Sequence, residues 1–291
     1  MTLQEAFDRT YAKLKHAQIP AARLDAEYLV AGAARIPRLK LVLEKARTLT
    51  SKGEQLLHQW TQERLERRPL SYVFGEQPFF NLRLRVNTSV LVPRPETELL
   101  VEEACRFLDS RPNAVAADVG TGSGNIAISL AKHDQVSRVH GVDISSAALG
   151  VARENALRHS PLKPIEWHLG DLLLPLIQQG IRADLIVANL PYIKTAVLPS
   201  LSPEVRWEPA LALDGGPDGL AYIKPVIEQA EAVLKPNGLL LLEIGYDQGP
   251  AVIHFLETRK GWTAMKLQRD LAGLDRMVHA TKGALIGSLN D

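Results

Sequence analysis

From about residue 114 onward, short apolar runs alternate with stretches of helical periodicity, and this alternation constrains the fold more than any other feature of the chain. Strands are expected over 114–119, 138–142, 165–168, 185–188 and 239–244, with two late ones over 263–268 and 276–280. Helices are expected between them over 125–133, 147–159, 220–234 and 251–260, the third stopped by Lys235-Pro236-Asn237-Gly238. A chain that alternates in this way builds a mainly parallel sheet with helices on its faces. Ligands of such sheets sit at the carboxyl ends of the strands, so chemistry is sought in the residues that follow each strand.

Before that region the pattern differs. Leu3, Phe7, Tyr11 and Leu14 recur at helical spacing, as do Leu24, Tyr28, Leu29 and Val30, and a third helical face spans 56–65. Residues 1–68 therefore read as a small helical domain, with His16 and His58 on its surface. Leu82-Arg83-Leu84-Arg85-Val86 alternates with period two, so 69–92 reads as a β-hairpin linker. The third domain, 93–291, opens with Pro93-Arg94-Pro95-Glu96-Thr97-Glu98 leading into a helix to about residue 110. Pro95 suits the first turn, and the two glutamates suit a helix N-terminus. Arg94, held between two prolines, reads equally as a substrate or cofactor contact and as a structural ion pair.

The first strand end carries Asp118-Val119-Gly120-Thr121-Gly122-Ser123-Gly124. Glycines let backbone approach a ligand without a Cβ, and the following helix presents free N–H groups. Asn125 stands where a dinucleotide fingerprint needs a small residue, so the turn suits a ligand without a pyrophosphate, such as S-adenosylmethionine. Asp143 ends the second strand and can accept hydrogen bonds from ribose hydroxyls, or cap the helix beginning near Ser145. Asp171 and Leu172 follow the third strand, placed to meet an adenine edge and ring. Gly120, Thr121, Gly122, Ser123, Gly124, Asp143, Asp171, Leu172 and Asn189 are the expected cofactor-binding residues.

Asn189-Leu190-Pro191-Tyr192 ends the fourth strand. Asn189 offers one acceptor and one NH2 donor, and the carbonyls of Leu190 and Pro191 are acceptors only. Such a set can hold a planar NH2 group by both of its protons, with Tyr192 stacked on its plane. Asn189, Pro191 and Tyr192 are the expected catalytic residues, and Asn189, Leu190, Pro191, Tyr192 and Arg94 the expected substrate contacts. The four loops together indicate a methyltransferase. No general base is apparent, since His133 and His140 are expected near outer or opposite ends of their elements.

Net charge is +1, which leaves no nucleic-acid footprint on the whole chain, although residues 1–70 hold 13 Lys/Arg against 8 Asp/Glu. Cys105 is the only cysteine, so neither a disulfide framework nor a cysteine metal site is expected, and it reads as a buried thiol. No metal ligand set is read. The opening residues do not resemble a signal peptide and no apolar run could span a bilayer, so a cytoplasmic protein without membrane association is expected.

Several stretches resemble the HemK/PrmC family, the methyltransferases that modify the glutamine of the Gly-Gly-Gln motif in class 1 peptide chain release factors. They are Pro69-Leu70-Ser71-Tyr72, the run Leu91 to Glu98, Asp118 to Gly124, Val142-Asp143, Asn189 to Ile193, Glu208-Pro209-Ala210-Leu211, Asp218-Gly219-Leu220 and Asp270-Leu271-Ala272-Gly273. The resemblance implies a Rossmann-like class I S-adenosylmethionine-dependent methyltransferase (an α/β fold) with an N-terminal helical domain that recognises the release factor. It implies no stable nucleic-acid binding. One departure is Leu190, where the family usually has proline; a backbone carbonyl acts there, and any residue supplies one. The alternative reading is a nucleic-acid methyltransferase acting on an adenine or cytosine amine, which presents the same planar NH2 and would need a flipped base.

Overall fold

The structure, a computed structural model, describes residues 1–284, so the last seven residues of the expected third domain lie outside the described residues. Internal contacts divide the chain into two units, Met1–Gly75 together with Ser202–Trp207, and the remainder from Glu76.

The first unit is helical: α1 (Leu3–His16), α2 (Ala22–Ala34), α3 (Ser51–Leu65) and α4 (Leu70–Phe74). Thr2 and Glu5 form a reciprocal capping box at the start of α1, and Thr50 caps α3. Leu3, Ala6, Thr10 and Leu14, on one face of α1, are buried with Leu29 and Val30 of α2. The Arg64 guanidinium is buried between two carboxylates, with Nε 2.7 Å from Asp25 Oδ2 and Nη2 2.9 Å from Glu204 Oε1. Residues 70–74 correct the expected start of the hairpin. Tyr72, Val73 and Phe74 read as strand residues, but Pro69 opens a single helical turn and Gly75, at φ +70°, ends it. The Phe74 ring then meets Trp60 edge to face, with centroids 5.1 Å apart.

The second unit begins with a narrower hairpin, β1 (Glu76–Phe79) and β2 (Leu82–Arg85), then α5 (Glu96–Leu108). The alternation follows: β3 (Ala114–Val119), α6 (Asn125–Leu130), β4 (Val136–Asp143), α7 (Ser146–His159), β5 (Ile165–Leu169), α8 (Leu174–Gln178) and β6 (Ala183–Ala188). It closes with α9 (Ile223–Val233), β7 (Leu234–Glu243), α10 (Gly249–Glu257), β8 (Trp262–Arg269) and β9 (Asp275–Lys282). The strands form one sheet in the order β5-β4-β3-β6-β7-β9-β8, parallel except where β9 runs against both neighbours.

The helix stops before Lys235 as expected, but Lys235 to Gly238 belong to the next strand. Helix α9 ends at Val233 and β7 starts at once; the register then jumps, with Leu234 opposite Ala183 and Leu239 opposite Leu185, across a bulge carrying Asn237 at φ +59°. Helix α6 also stops at Leu130, three residues early.

Both sheet faces are covered, which explains why the central strands are apolar almost throughout. Ile186, Ala188, Leu240 and Leu242 belong to the core on one face, while Leu185, Val187, Leu239 and Leu241 belong to that on the other.

Candidate functional site

Chain order places the site. Strands β3, β4 and β5 step outward in one direction, and β6 returns to the other side of β3. The β3–β6 border is therefore the switch point of the sheet, where loops diverge and leave a crevice. Val119 pairs with Ala188, so Gly120 and Asn189 leave the sheet side by side. A cavity opens there, lined by Gly120, Thr121, Gly122 and Ser123 after β3, Asp143 at the end of β4, Asp171 and Leu172 after β5, and Asn189, Leu190 and Pro191 after β6.

The glycine turn is held from beneath by Asp118, which is fully buried. Its Oδ2 accepts from Thr121 Oγ1 at 2.5 Å and from the Ala127 backbone N–H at 3.0 Å. Burial, augmented by the nearby Asp143 carboxylate, raises its pKa to about 7 despite those hydrogen bonds. Gly120 stands at φ +71°, and a Cβ there would meet Leu190 Cδ2 at 2.9 Å. Asp143 accepts from the N–H of Gly122 and from that of Ser145, both at 2.8 Å, and burial raises its pKa as well. Asp143 does not cap the next helix; the Ser145 hydroxyl does so, accepting from Ala148. Asn155, fully buried on α7, donates to the carbonyls of Ser123 and Arg85 and so ties the turn to β2.

These residues fit S-adenosylmethionine. The turn leaves backbone exposed where a side chain would fill the space, and two carboxylates, Asp143 and Asp171, border the same cavity. Leu172, Ile144, Leu211 and Tyr222 add apolar lining. Asp118 Oδ1 and Ser123 Oγ are buried without a hydrogen-bond partner among the described residues, leaving polar capacity beneath the turn.

At the other wall, the Asn189 Nδ2 donates to Thr97 Oγ1 at 3.0 Å, and Thr97 Oγ1 donates to Glu243 Oε2 at 2.7 Å. Tyr192 donates its hydroxyl to Glu243 Oε1 at 3.3 Å. Glu243 is buried and its pKa is raised by that burial, against the pull of Thr97 and Arg276. Burial and then Glu243 push the Tyr192 hydroxyl above the usual phenol range.

The loop after β6 is braced from behind. Buried Gln248 donates to the carbonyls of Tyr192 at 2.9 Å and Gly219 at 3.1 Å, while accepting from the Gly245 N–H at 2.8 Å. Gly215 lies so close that a Cβ on it would sit 2.8 Å from the Pro191 carbonyl oxygen and 2.7 Å from the Tyr192 Cα. Leu190, in place of proline, is 5% exposed and packs into the core beside Gly120.

Arg94 forms the ion pair that is one of its two expected readings, and it also borders the cavity. Its Nη2 lies 2.5 Å from Oε1 of buried Glu208, whose Oε2 accepts from the Val92 N–H. Gly124 and Tyr192 do not line the cavity. Gly124 sits at φ +80° where a Cβ would meet Ala152 and Ile128 at 3.2 Å, so it serves helix packing. The Tyr192 ring packs on the core, with only its hydroxyl in the polar network.

Thr97, Glu208, Glu243, Gln248 and Ile144 were assigned no role from sequence. Thr97, Glu208 and Glu243 bond to residues far off in the chain, and only the exposed isoleucine directly after Asp143 offers a local signal.

The histidines also differ from expectation. His140 is buried in mid-strand, and its Nδ1 lies 3.0 Å from His168 Nε2. Burial lowers both pKa values, that of His140 to about 4. With Glu166 they bring donor atoms within 4.8 Å of one another, but Arg138 already engages that carboxylate. Cys105 is half-buried rather than buried, and burial raises its pKa.

Comparison with known proteins places this geometry among relatives. The PrmC N-terminal domain profile matches residues 5–75 and a methyltransferase domain profile matches residues 110–267. The release factor glutamine methyltransferase of Moorella thermoacetica is 40% identical over 276 residues, covering 95% of this chain and 97% of its own. That of Caulobacter vibrioides is 37% identical over 286 residues, covering 98% of each. Among solved structures, a ribosomal protein L11 methylase from Lactobacillus delbrueckii subsp. bulgaricus superposes with a TM-score of 0.51 at 22% identity. The superposition covers 72% of this chain and 90% of that one, a likeness of fold.

Proposed function

Since the chain belongs to the release factor glutamine methyltransferase family, we propose that Asn189 and the Leu190 carbonyl hold the side-chain amide of a release factor glutamine for methylation. The enzyme is a protein-glutamine N5-methyltransferase that uses S-adenosylmethionine. The substrate glutamine is that of the Gly-Gly-Gln motif in class 1 release factors.

An amide nitrogen is a poor nucleophile because its lone pair is delocalised into the carbonyl. When bound, the cofactor supplies a methyl group already activated on a sulfonium, so the protein's task is geometric. The observation that carries the reading is the state of Asn189. Its Nδ2 is engaged by Thr97, which leaves Oδ1 as an acceptor at the cavity wall beside the glycine turn. The Pro191 carbonyl lies against Gly215, so the second acceptor is the carbonyl of Leu190. Two acceptors grip both amide protons, favour positive charge developing on the nitrogen, and fix its direction. Orientation of this kind is worth roughly 7–11 kcal/mol.

Around that centre, Gly120, Thr121, Gly122 and Ser123 offer backbone to the cofactor's amino-acid end. Asp143 retains lone pairs for ribose hydroxyls, and Asp171 with Leu172 meets the adenine. Arg94, aligned by Glu208, borders the substrate side. Tyr192 supports the loop from the rear, in place of the stacking platform expected from sequence. The helical unit, whose first 70 residues are basic on balance, recognises the release factor. No helix among the described residues is long and apolar enough to cross a membrane.

Intact-mass analysis of release factor incubated with enzyme and cofactor tests the reading, with one added methyl on the motif glutamine as the expected result. Asn189→Ala should lower kcat by at least about 100-fold while cofactor affinity stays within threefold, the size expected when orientation is lost. Labelled methyl found on RNA and not on release factor would overturn it.

A further inference from the structure

We propose that Thr97 and Glu243 are positioning residues that fix which end of the Asn189 carboxamide faces the substrate. The oxygen and nitrogen of an amide have nearly the same size, so shape alone does not choose between its two orientations. One orientation presents an acceptor to the cavity and the other a donor. Only the acceptor suits a substrate NH2.

The choice is made by a relay of hydrogen bonds with a single direction. When ionised, Glu243 has no proton to give, so it accepts from Thr97 Oγ1 at 2.7 Å and from the Tyr192 hydroxyl at 3.3 Å. Thr97 has one hydroxyl proton, and with that proton on Glu243 its oxygen can only accept from Asn189, at 3.0 Å. Nδ2 must therefore face Thr97, and Oδ1 must face away. Thr97 is 1% exposed and Glu243 3%, so both are held away from bulk solvent. Protonation of Glu243 releases the constraint, because Thr97 can then accept from the carboxylic acid and donate to Asn189 Oδ1, turning the amide over.

The groups that face Glu243 make its charge state sensitive to pH. Thr97 and Glu96 face it from α5, Tyr192 from the loop after β6, and Arg276 from β9. Burial and Glu96 raise its pKa; Thr97, Arg276 and Tyr192 hold it down. The acid limb of kcat accordingly lies above the ordinary carboxylate range. This inference rests on the reading of Asn189 given above, but its first readout does not require turnover.

The test compares Thr97→Val, Thr97→Ser and Glu243→Gln with the wild-type enzyme. In the wild type, the Asn189 side-chain 15N–1H2 resonances show one proton shifted downfield and slowed in exchange by Thr97. Thr97→Ser keeps that signature, and Thr97→Val loses it. In methyl transfer, Thr97→Val and Glu243→Gln lower kcat on the order of 100-fold, as loss of alignment does, with cofactor Kd unchanged. Thr97→Ser stays within about threefold of wild type, the range left when geometry is kept. Glu243→Gln also removes the acid limb of the kcat profile. Wild-type kcat in Thr97→Val, equal losses in Thr97→Ser and Thr97→Val, or an unchanged Asn189 signature in Thr97→Val would each overturn the proposal. A wild-type signature without transfer to release factor would sink the assigned substrate and leave the relay standing.

Discussion

Asn189 is tied to Thr97, and through it to Glu243, neighbours that the sequence does not place beside it. Gly120 and Asn189 are legible because each directly follows an apolar run, and Asp143 and Asp171 because they stand at or just past a strand end; parallel sheets gather such positions at one edge. Thr97 and Glu243 are not legible in that way. They lie 92 and 54 positions from Asn189, in a helix and on another strand, and only the register of β6 against β7 brings them together. Gly120 offers the sharpest single-residue test. An alanine there faces a φ of +71° and Leu190 Cδ2 at 2.9 Å, so strain and crowding act together. Gly120→Ala should weaken S-adenosylmethionine binding by at least about tenfold, or about 1.4 kcal/mol, by titration calorimetry. Unchanged affinity would mean that the turn does not cradle the cofactor.

At the level of elements, periodicity located every strand of the large sheet; β3 and β6 are apolar for most of their length, whereas β4, β5, β8 and β9 interleave polar residues. It misjudged residues 70–74, where three bulky residues read as strand, although a five-residue helix between proline and glycine has too few positions to show a period. It also began the strand at Leu239, whereas a bulge draws Leu234 to Gly238 into β7. The β4–β5 pair carries a pH dependence of its own. His140 has a folded pKa of about 4 against an ordinary value of 6.5. Between those values the unfolded chain binds a proton that the folded one refuses, so stability falls as pH drops from 6.5 to 4 and the loss is complete below 4. The contribution is at most about 3 kcal/mol. Between pH 6.5 and pH 4, urea midpoints should fall further for the wild type than for His140→Gln. Equal falls would mean that His140 titrates normally in the fold.

On the scale of the whole molecule, the two units rest on different physics and should respond to different perturbations. The helical unit contains a charge that is costly to leave alone: Arg64, with 6% side-chain exposure, stands between Asp25 and Glu204. Removing it strands Asp25, whose pKa burial already raises. Arg64→Ala should destabilise that unit by about 3–5 kcal/mol, read as faster amide hydrogen exchange in α1 to α3. Cofactor at about a hundred times its Kd should stabilise the other unit by about 2.7 kcal/mol, read as slower exchange in β3, β4 and β6. Slowing confined to the helical unit would contradict the placement of the cofactor. Composition foresaw a basic front end, but not that Ser202–Trp207 is counted with it, because a six-residue segment so far along the chain carries no such label.

On the proposed reading, the paired acceptors of Asn189 and Leu190 also bear on when the reaction ends. An unmodified carboxamide brings two hydrogens and satisfies both. Once one hydrogen has been exchanged for carbon, the product brings a single hydrogen and would have to press an apolar group against an oxygen that wants a donor. On that reading, the site favours unmodified glutamine over its own product, and a second transfer should be slower than the first.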